Sequence, residues 1–269
     1  MMKVDFNLMI LASTPEDVRS AQNAGVDRIF FDLEYIGKAE RQRGRDTVKY
    51  FNDIEQLPEL RKIITTSSLL VRTNPINAYT SVEIEKSINY GADILMLPMV
   101  MDKHDVENYV KMVNGRAKVI IMIETAAALT RLDDILSVPG IDEIFIGLND
   151  LHISLGLNFL FEPLAGGLVD YISAKCHKSG IPVGFGGIAR IGDGMLPAEI
   201  ILSEHVRLGS TSVILSRTFK GGDSPFAIDF EREVSKVKEK YMELQDLSEA
   251  MLEENRKKVK DIVNSIVNR

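Results

Sequence analysis

Two acidic residues stand at the ends of neighbouring apolar runs and have the chemistry of a metal site. Glu124 ends the run KVIIMIET (118–125), and Asp150 ends the run DEIFIGLND (142–150). If these runs are adjacent parallel strands about 4.8 Å apart, both carboxylates can reach one ion. Magnesium takes one or two carboxylates and completes its octahedron with water and substrate oxygens, whereas zinc usually draws on His or Cys. The pair predicts an Mg²⁺ or Mn²⁺ site; alternatively, one or both carboxylates cap a helix or pair with an arginine.

Arg72 lies near the end of a third run and is the predicted catalytic and substrate-binding cation. A guanidinium there could bind a carboxylate through two hydrogen bonds or stabilise an oxyanion. The alternative is a structural ion pair with Asp32 or Glu34, which close an earlier run. Both roles are compatible, because a carboxylate that orients an arginine leaves it able to bind substrate. Asn74 belongs to the same set of polar strand ends.

Residues 147–150 form a second candidate substrate contact. Gly147, Asn149 and Asp150 are assigned to substrate binding, because their segment leads into a loop whose backbone N–H groups could receive a carboxylate. His152 follows and could act in acid–base chemistry, although a lone loop histidine is more often solvated or hydrogen-bonded.

Glycine-rich turns follow the last two apolar runs. Gly186, Gly187 and Arg190 could cradle an anion, but tight corners need glycine for conformational reasons alone, and that structural reading is favoured. The remaining histidines fall in predicted helices and are poor candidates: His104, His177 and His205.

Eight apolar runs must position these side chains. They span 6–13, 26–34, 68–74, 92–98, 118–125, 142–150, 182–188 and 211–219. Most are continuously apolar, as is typical of parallel strands buried on both faces. Amphipathic stretches between them predict helices, among them 81–90, 103–114, 125–138 and 167–179. The pattern predicts an α/β fold, a (β/α)8 TIM barrel with extra C-terminal helices, whose strand ends converge on one mouth. A doubly wound sheet is disfavoured, because the first strand is not followed by a glycine-rich turn.

The predicted domain organisation is a barrel core at 1–228, with C-terminal helices at 229–269 that belong to the same domain. The second of these helices exceeds what a barrel needs. Its apolar positions follow helical spacing, so it packs either on the chain's own barrel or on a neighbouring subunit.

Composition narrows the class of protein. The net charge of -7 and the isoelectric point near 5.3 disfavour nucleic acid as a partner. The single cysteine, Cys176, excludes a disulfide framework and a Cys-rich zinc site, and predicts a small buried thiol. No apolar run approaches the length of a membrane span, and the N-terminal stretch FNLMILAS reads as a strand. We expect a cytoplasmic protein with no membrane partner.

Several motifs together resemble a known family. AGVDRIFFDLE, VRTNP, GADILMLPMV and the long stretch from VIIMIET to GLNDLHISLGL resemble the HpcH/HpaI aldolase and citrate lyase β-subunit family, over about residues 6–220. The most specific part is Ile-Glu-Thr, followed 26 residues later by an Asp in Gly-x-x-Asp-Leu. The resemblance implies an Mg²⁺- or Mn²⁺-dependent carbon–carbon lyase or aldolase. Such an enzyme acts through an enolate of a 2-oxo acid such as pyruvate, or of an acyl-CoA. Glu124 and Asp150 match the metal pair, and Arg72 would steady the enolate oxygen.

One departure from the family affects the general base. Its pyruvate aldolases carry a histidine directly after the acidic residue of strand 2, where this chain has Asp32-Leu33-Glu34-Tyr35. Proton transfer is therefore left to Glu34, Tyr35, His152 or a water on the metal. A basic cluster follows, suited to an anionic substrate such as a sugar acid, a phosphate or a CoA thioester, or else simply solvated. It comprises Arg41, Gln42, Arg43 and Arg45. The resemblance also implies a homo-oligomer, a trimer or hexamer that exchanges C-terminal helices.

Two other functions compete with a metal-dependent lyase. A Schiff-base aldolase needs a buried lysine near a strand end, and none of the eight runs ends in one. The second alternative, prompted by the missing histidine, is a catalytically altered barrel that binds an anionic ligand without turnover.

Overall fold

Nine parallel strands form one sheet in a computed structural model that describes residues 6–38, 52–220 and 229–268. The strands are β1 (Asn7–Leu11), β2 (Arg28–Asp32), β3 (Ser68–Arg72), β4 (Ile94–Leu97), β5 (Lys118–Ile123), β6 (Glu143–Ile146), β7 (Val183–Phe185), β8 (Gly187–Ile188) and β9 (Ser212–Leu215). Their order is β7-β6-β5-β4-β3-β2-β1-β9-β8, so each strand from β1 to β7 lies beside its neighbours in sequence. Helices alternate with the strands, and the sheet curls into a nearly closed barrel. The predicted α/β fold of the TIM-barrel type with extra C-terminal helices is confirmed.

The prediction of eight strands needs one correction, because the run 182–188 forms both β7 and β8. Gly186 separates them with a φ of 55°, a left-handed conformation that favours glycine. β7 pairs with β6, whereas β8 pairs with β9. The Thr211 N–H donates to the Val183 carbonyl over 2.8 Å and ties the two sides together. The kinked seventh strand therefore bridges the closing edges of the barrel.

Alternation along the strands places the polar residues of the mouth directly above an apolar interior. Phe30 pairs with Leu70 in the register of β2 and β3, and Asp32 pairs with Arg72 two residues further on. Since side chains two residues apart share a face, both pairs point into the barrel. The apolar layer below the mouth consists of Met9, Phe30, Leu70, Ile94, Met96, Ile120, Met122 and Phe145. Charged residues therefore gather at the C-terminal strand ends.

Twelve α-helices cover the barrel in the described part of the chain. They are α1 (Pro15–Asn23), α2 (Leu57–Ile63), α3 (Thr80–Asn89), α4 (Lys103–Val113), α5 (Ala126–Thr130), α6 (Leu132–Leu136), α7 (Leu148–Ser154), α8 (Glu162–Ala165), α9 (Leu168–Lys178), α10 (Ala198–Arg207), α11 (Phe230–Leu244) and α12 (Glu249–Val267). The helix predicted over 125–138 is two helices, because Arg131 leaves helical geometry with a φ of -111°. Cys176 lies buried in α9, as expected, and burial raises the pKa of its thiol to about 12.

The two C-terminal helices pack on the chain's own barrel. Val259 and Val263 of α12 are buried in the same hydrophobic cluster as the barrel's outer faces. Asn255 of α12 donates to the Ile200 carbonyl over 3.1 Å and to Glu204 over 2.8 Å, both in α10. Among the described helices, none combines the length and the apolar character needed to cross a bilayer.

Candidate active site

A cavity of about 480 Å³ opens at the C-terminal mouth of the barrel. Its charged wall carries Arg72 from β3, Glu124 after β5 and Asp150 from α7. Gly147 and Asn149 line the same wall, so five of the predicted site residues meet in one place. The structure thereby gathers the residues that the sequence assigns to metal and substrate binding.

Glu124 is buried and faces the cavity rather than capping the helix that follows it. Thr125 performs the capping: its hydroxyl accepts from the Ala128 N–H over 2.9 Å and donates to the Val100 carbonyl over 2.7 Å. Glu124 Oε1 instead accepts from the backbone N–H of Met99 over 2.8 Å. Met99 holds a left-handed conformation with a φ of 55°, which is uncommon for a residue other than glycine. The helix-cap alternative for Glu124 is therefore excluded.

The surroundings of Glu124 disfavour its negative charge. Burial raises its pKa to about 8, and the nearby carboxylates of Glu34 and Asp150 add to that shift. Arg72 and the Met99 N–H oppose the shift only in part. A bound cation would relieve this crowding of carboxylates, because opposite charge favours the ionised form.

Gly147 gives Glu124 room. A Cβ at residue 147 would collide with Glu124 Oε2, and would also lie 2.9 Å from Glu124 Cβ and 3.0 Å from Met122 Cε. The Gly147 N–H donates to the Ile123 carbonyl over 3.2 Å. Gly147 therefore acts here by having no side chain, with its own N–H already committed to the strand end.

Asp150 lies in the first turn of α7 and is half-buried at the cavity wall. The sequence predicts a loop here, but Leu148 to Ser154 form a helix. The first N–H groups of a helix have no acceptor within it, and its dipole favours negative charge at that end. The correction keeps Asp150 at the mouth and replaces the predicted loop by a helix N-terminus.

Arg72 is held by the two acidic residues that follow β2. Its Nε and Nη2 donate to the two oxygens of Asp32 over 2.8 and 2.7 Å, and its Nη2 lies 3.3 Å from Glu34 Oε2. Both carboxylates are buried. Burial opposes the charge of Asp32, but Arg72 and Lys38 hold its pKa well below the usual range. The predicted ion pair is present, and Arg72 still lines the cavity.

Lys38 is a site residue that sequence reasoning missed. Its ammonium lies 2.8 Å from Asp32 and 3.7 Å from Glu34, so two cations and two carboxylates form one cluster beside the cavity. The available signal was the spacing of four residues between Glu34 and Lys38, which is typical of a helical ion pair. Asn74 also has a supporting role, because its side-chain oxygen accepts from the N–H groups of Tyr35 and Ile36 over 3.0 and 3.1 Å.

None of the three proposed proton-transfer residues lines the cavity as the described residues form it. Tyr35 is 57% exposed and lines a separate cleft with Tyr79 and Lys86. His152 is buried in α7, with Nδ1 3.2 Å from the Leu148 carbonyl. Glu34 alone of the three candidates contacts Arg72.

The remaining candidates take structural or peripheral positions. Gly186 and Gly187 line the cavity, whereas Arg190 pairs with Asp193 over 2.8 Å. His104, His177 and His205 lie in helices, as predicted. The basic cluster Arg41, Gln42, Arg43 and Arg45 lies outside the described residues.

The donor set at the mouth fits a hard divalent cation with few protein ligands. Within residues 6–38, 52–220 and 229–268, no three His, Cys, Asp or Glu side chains are arranged to hold one ion. Glu124 and Asp150 would supply two carboxylates, and water or substrate oxygens would complete the shell. Mg²⁺ is commonly bound in this way.

Comparison of the sequence with known proteins identifies relatives of this chain. The sequence model described as HpcH/HpaI aldolase/citrate lyase matches residues 6–159. A 2-keto-3-deoxy-L-rhamnonate aldolase of Escherichia coli (strain K12) is 47% identical over 51 residues, which cover 19% of this chain and 19% of that protein. The chain thus aligns with about a fifth of the length of this curated relative.

Solved structures share the fold across most of the chain. An HpcH/HpaI aldolase from Desulfitobacterium hafniense DCB-2 superposes with a TM-score of 0.60 at 17% identity, covering 92% of this chain and 95% of that one. A family protein from Burkholderia cenocepacia J2315 gives the same TM-score and identity, with coverages of 90% and 95%. A citrate synthase superposes with a TM-score of 0.58 at 22% identity, covering 78% and 86%. At these identities the superpositions establish the fold.

Proposed function

The chain belongs to the HpcH/HpaI aldolase/citrate lyase family, a family of aldolases and lyases, and from that premise we propose that it is a divalent-metal-dependent carbon–carbon lyase or aldolase. It acts through the enolate of a 2-oxo acid such as pyruvate, or of an acyl-CoA. One observation carries the proposal: Glu124, Asp150 and Arg72 line a single cavity at the barrel mouth. Two carboxylates suited to a cation and one fixed guanidinium surround the space where negative charge would develop.

The chemistry asked of these residues is electrostatic. When bound by Glu124 and Asp150, Mg²⁺ or Mn²⁺ supplies positive charge that opposes the charge developing on the substrate oxygen. Arg72 adds a second positive charge whose direction is set by its two hydrogen bonds to Asp32. Groups already aimed at developing charge stabilise the transition state more than the ground state. The site therefore favours reactions that pass through an enolate.

Proton transfer is assigned to Glu34 among the three sequence candidates. Glu34 is buried, lies 3.3 Å from Arg72, and interacts electrostatically with Glu124. Tyr35 and His152 lie away from the cavity, as described above. Glu34 does not line the cavity itself, so a water molecule beside Arg72 would carry the proton between it and the substrate carbon.

A second candidate function is ligand binding without turnover. It is favoured by the composition of the cavity wall. Neither Tyr35 nor His152, nor any other histidine, is among the described residues that line the mouth. In that case Arg72 and a cation would still hold a small anion, such as a 2-oxo acid, a sugar acid or a CoA thioester.

Assembly and location are part of the proposal. We expect a homo-oligomer, a trimer or hexamer, in which α12 extends its contacts to a neighbouring subunit. We also expect a cytoplasmic protein, because its single cysteine is a buried thiol that suits a reducing compartment.

Deuterium exchange into the methyl group of pyruvate in D2O, followed by proton NMR, tests the function. We expect exchange with Mg²⁺ or Mn²⁺ present, loss of exchange with a chelator, and loss in Glu124→Gln. The control is Glu253→Gln, which neutralises an exposed carboxylate of α12 and should leave exchange unchanged. Exchange of an acyl-CoA instead of pyruvate would select the lyase-type substrate. Failure of both would support binding without turnover.

A further inference from the structure

The cavity at the barrel mouth has two chemically different ends. The charged end comes from β3, β5 and α7, as described above. The opposite end is apolar and is built by the loop before α8, the loop before α10, and β9. Its wall includes Phe159, Leu160, Phe161, Met195 and Leu196. Both ends belong to one cavity, so two reactants bound at its two ends would lie side by side.

The apolar end is preformed. The rings of Phe159 and Phe161 meet edge to face with centroids 5.5 Å apart. Glu162 fixes their loop by accepting from the N–H groups of Asn158 and Phe159, each over 2.7 Å. Both rings are buried, whereas Met195 at the rim is 68% exposed. Preformed apolar walls with a few convergent polar groups are typical of small-molecule sites.

The volume exceeds what a three-carbon acid needs. A cavity of about 480 Å³ falls in the range of sites that hold drug-sized ligands, about 300–1,000 Å³. A 2-oxo acid held by Arg72 and by a cation on the two carboxylates would occupy the charged end. The rest of the volume therefore remains for the second reactant.

We infer that this second reactant is an aldehyde whose carbonyl carbon carries an apolar group, aliphatic or aromatic, rather than a polyhydroxylated one. The inference rests on the proposed function and adds the substrate class. In the step concerned, the enolate carbon forms a bond to the aldehyde carbon, and the carbonyl electron pair moves to oxygen, which takes up one proton. The product is a 4-hydroxy-2-oxo acid, and the reverse step breaks the same bond.

Few polar side chains are available at the apolar end to form hydrogen bonds with the hydroxyl groups of a substrate. Among the described lining residues at that end, Ser216 and Arg217 are the polar side chains, both at the end of β9. A polyol placed there would leave most of its hydroxyl groups without the partners they have in water. An apolar group instead removes both its own surface and the wall from water.

The test compares two aldehydes with equal numbers of non-hydrogen atoms, 3-methylbutanal and glyceraldehyde, with pyruvate and the Mg²⁺-loaded full chain. We expect kcat/KM to favour 3-methylbutanal by at least about tenfold, the scale of discrimination that one or two apolar groups provide. Equal values, or a preference for glyceraldehyde, would overturn the inference.

A double variant tests whether the lining sets the preference. Leu160→Asn with Met195→Gln makes two positions of the wall polar, so the ratio of the two kcat/KM values should fall by about tenfold or more. The control is Met251→Gln, which changes an exposed methionine of α12; its ratio should match the wild type. A double variant that slows both aldehydes equally would overturn the inference.

Pyruvate deuterium exchange separates the two failures. Exchange with the wrong aldehyde preference contradicts only the inference about the apolar group. Absence of exchange contradicts the proposed function, and the inference falls with it.

Discussion

Gly147 and Glu124 are in such close contact that a methyl group on residue 147 would overlap the carboxylate oxygen Oε2. One strand end thereby shapes the position of the carboxylate that we propose as a metal ligand at the end of its neighbour. The φ of Gly147 is -80°, a value that alanine also adopts, so the glycine is needed for space rather than for backbone freedom.

This contact predicts that Gly147→Ala weakens metal binding. The added methyl group must displace Glu124, so we expect the Kd for Mn²⁺, measured by calorimetry, to rise by about tenfold or more. The matched control is Gly166→Ala, whose glycine has a φ of -79° and does not line the cavity. Unchanged Mn²⁺ affinity in Gly147→Ala would show that Glu124 is not the ligand.

The proton held by Glu124 makes the effect of a cation depend on pH. Burial and the nearby carboxylates raise its pKa from 4.5 to about 8. Between these values the metal-free folded chain keeps a proton that the unfolded chain releases. Its free energy of unfolding therefore falls as pH rises from about 4.5 to about 8. Mg²⁺ binds the ionised form, so it should raise the melting temperature more at about pH 9 than at about pH 6.

Melting curves of Glu124→Gln provide the control for that pH effect. The amide carries no titrating proton, so any remaining gain from Mg²⁺ should be small and similar at both pH values. A gain in the wild type that is larger at the lower pH would contradict the assignment of the proton to Glu124.

Asp32 is a buried carboxylate that balances two half-buried cations, and its removal should destabilise the fold. Asp32→Asn removes the carboxylate that lies nearest to both Arg72 and Lys38, so we expect the free energy of unfolding in urea to fall by about 3–5 kcal/mol. Because the pKa of Asp32 is lowered, this stabilisation is present above the usual aspartate pKa of 3.8 and is lost as pH falls further.

A surface ion pair gives the comparison for Asp32. Asp133 lies 2.8 Å from Lys175, but its side chain is 70% exposed. Asp133→Asn should therefore change the unfolding midpoint little, since exposed pairs contribute little to stability. Equal losses in the two variants would mean that the Asp32 cluster is no more than an exposed pair in energetic terms.

Thr125 joins Glu124, the proposed metal ligand, to the helix behind it. Thr125→Ala removes the cap on α5 and the bond to the Val100 carbonyl, so the free energy of unfolding should fall by about 1–2 kcal/mol. Thr125→Ser keeps the hydroxyl and should recover most of that stability. Urea unfolding of both variants distinguishes the hydroxyl from the methyl group, and equal losses would exclude the capping role.

The strand ends were predictable, because buried parallel strands form continuous apolar runs and the polar residue that ends each run falls at the mouth. That rule places Arg72, Glu124 and Asp150 correctly on one cavity. Their roles in catalysis and metal binding stay predictions. The kink at Gly186 was not predictable, because an apolar run that contains glycine reads the same whether one strand or two form from it.

Side-chain direction beyond the strands was also hidden. Tyr35 and His152 follow strand ends in sequence, yet Tyr35 lines a separate cleft and the buried ring of His152 lies against the Leu148 carbonyl. Residues after a strand lose its alternation, so their direction depends on tertiary packing. Lys38 was missed for the same reason, since it follows β2 and only the folded chain shows that its ammonium turns back to Asp32 and Glu34.

The hydrogen bond from Met99 to Glu124 has a consequence for any attempt to transplant the site. The donor is a main-chain N–H group, held in place by a left-handed residue after β4. The position of one carboxylate oxygen of Glu124 thus depends on the path of the chain, because every amino acid except proline supplies the donor. Copying the side chains of the mouth onto another barrel would leave this support behind unless the turn after β4 is copied with them.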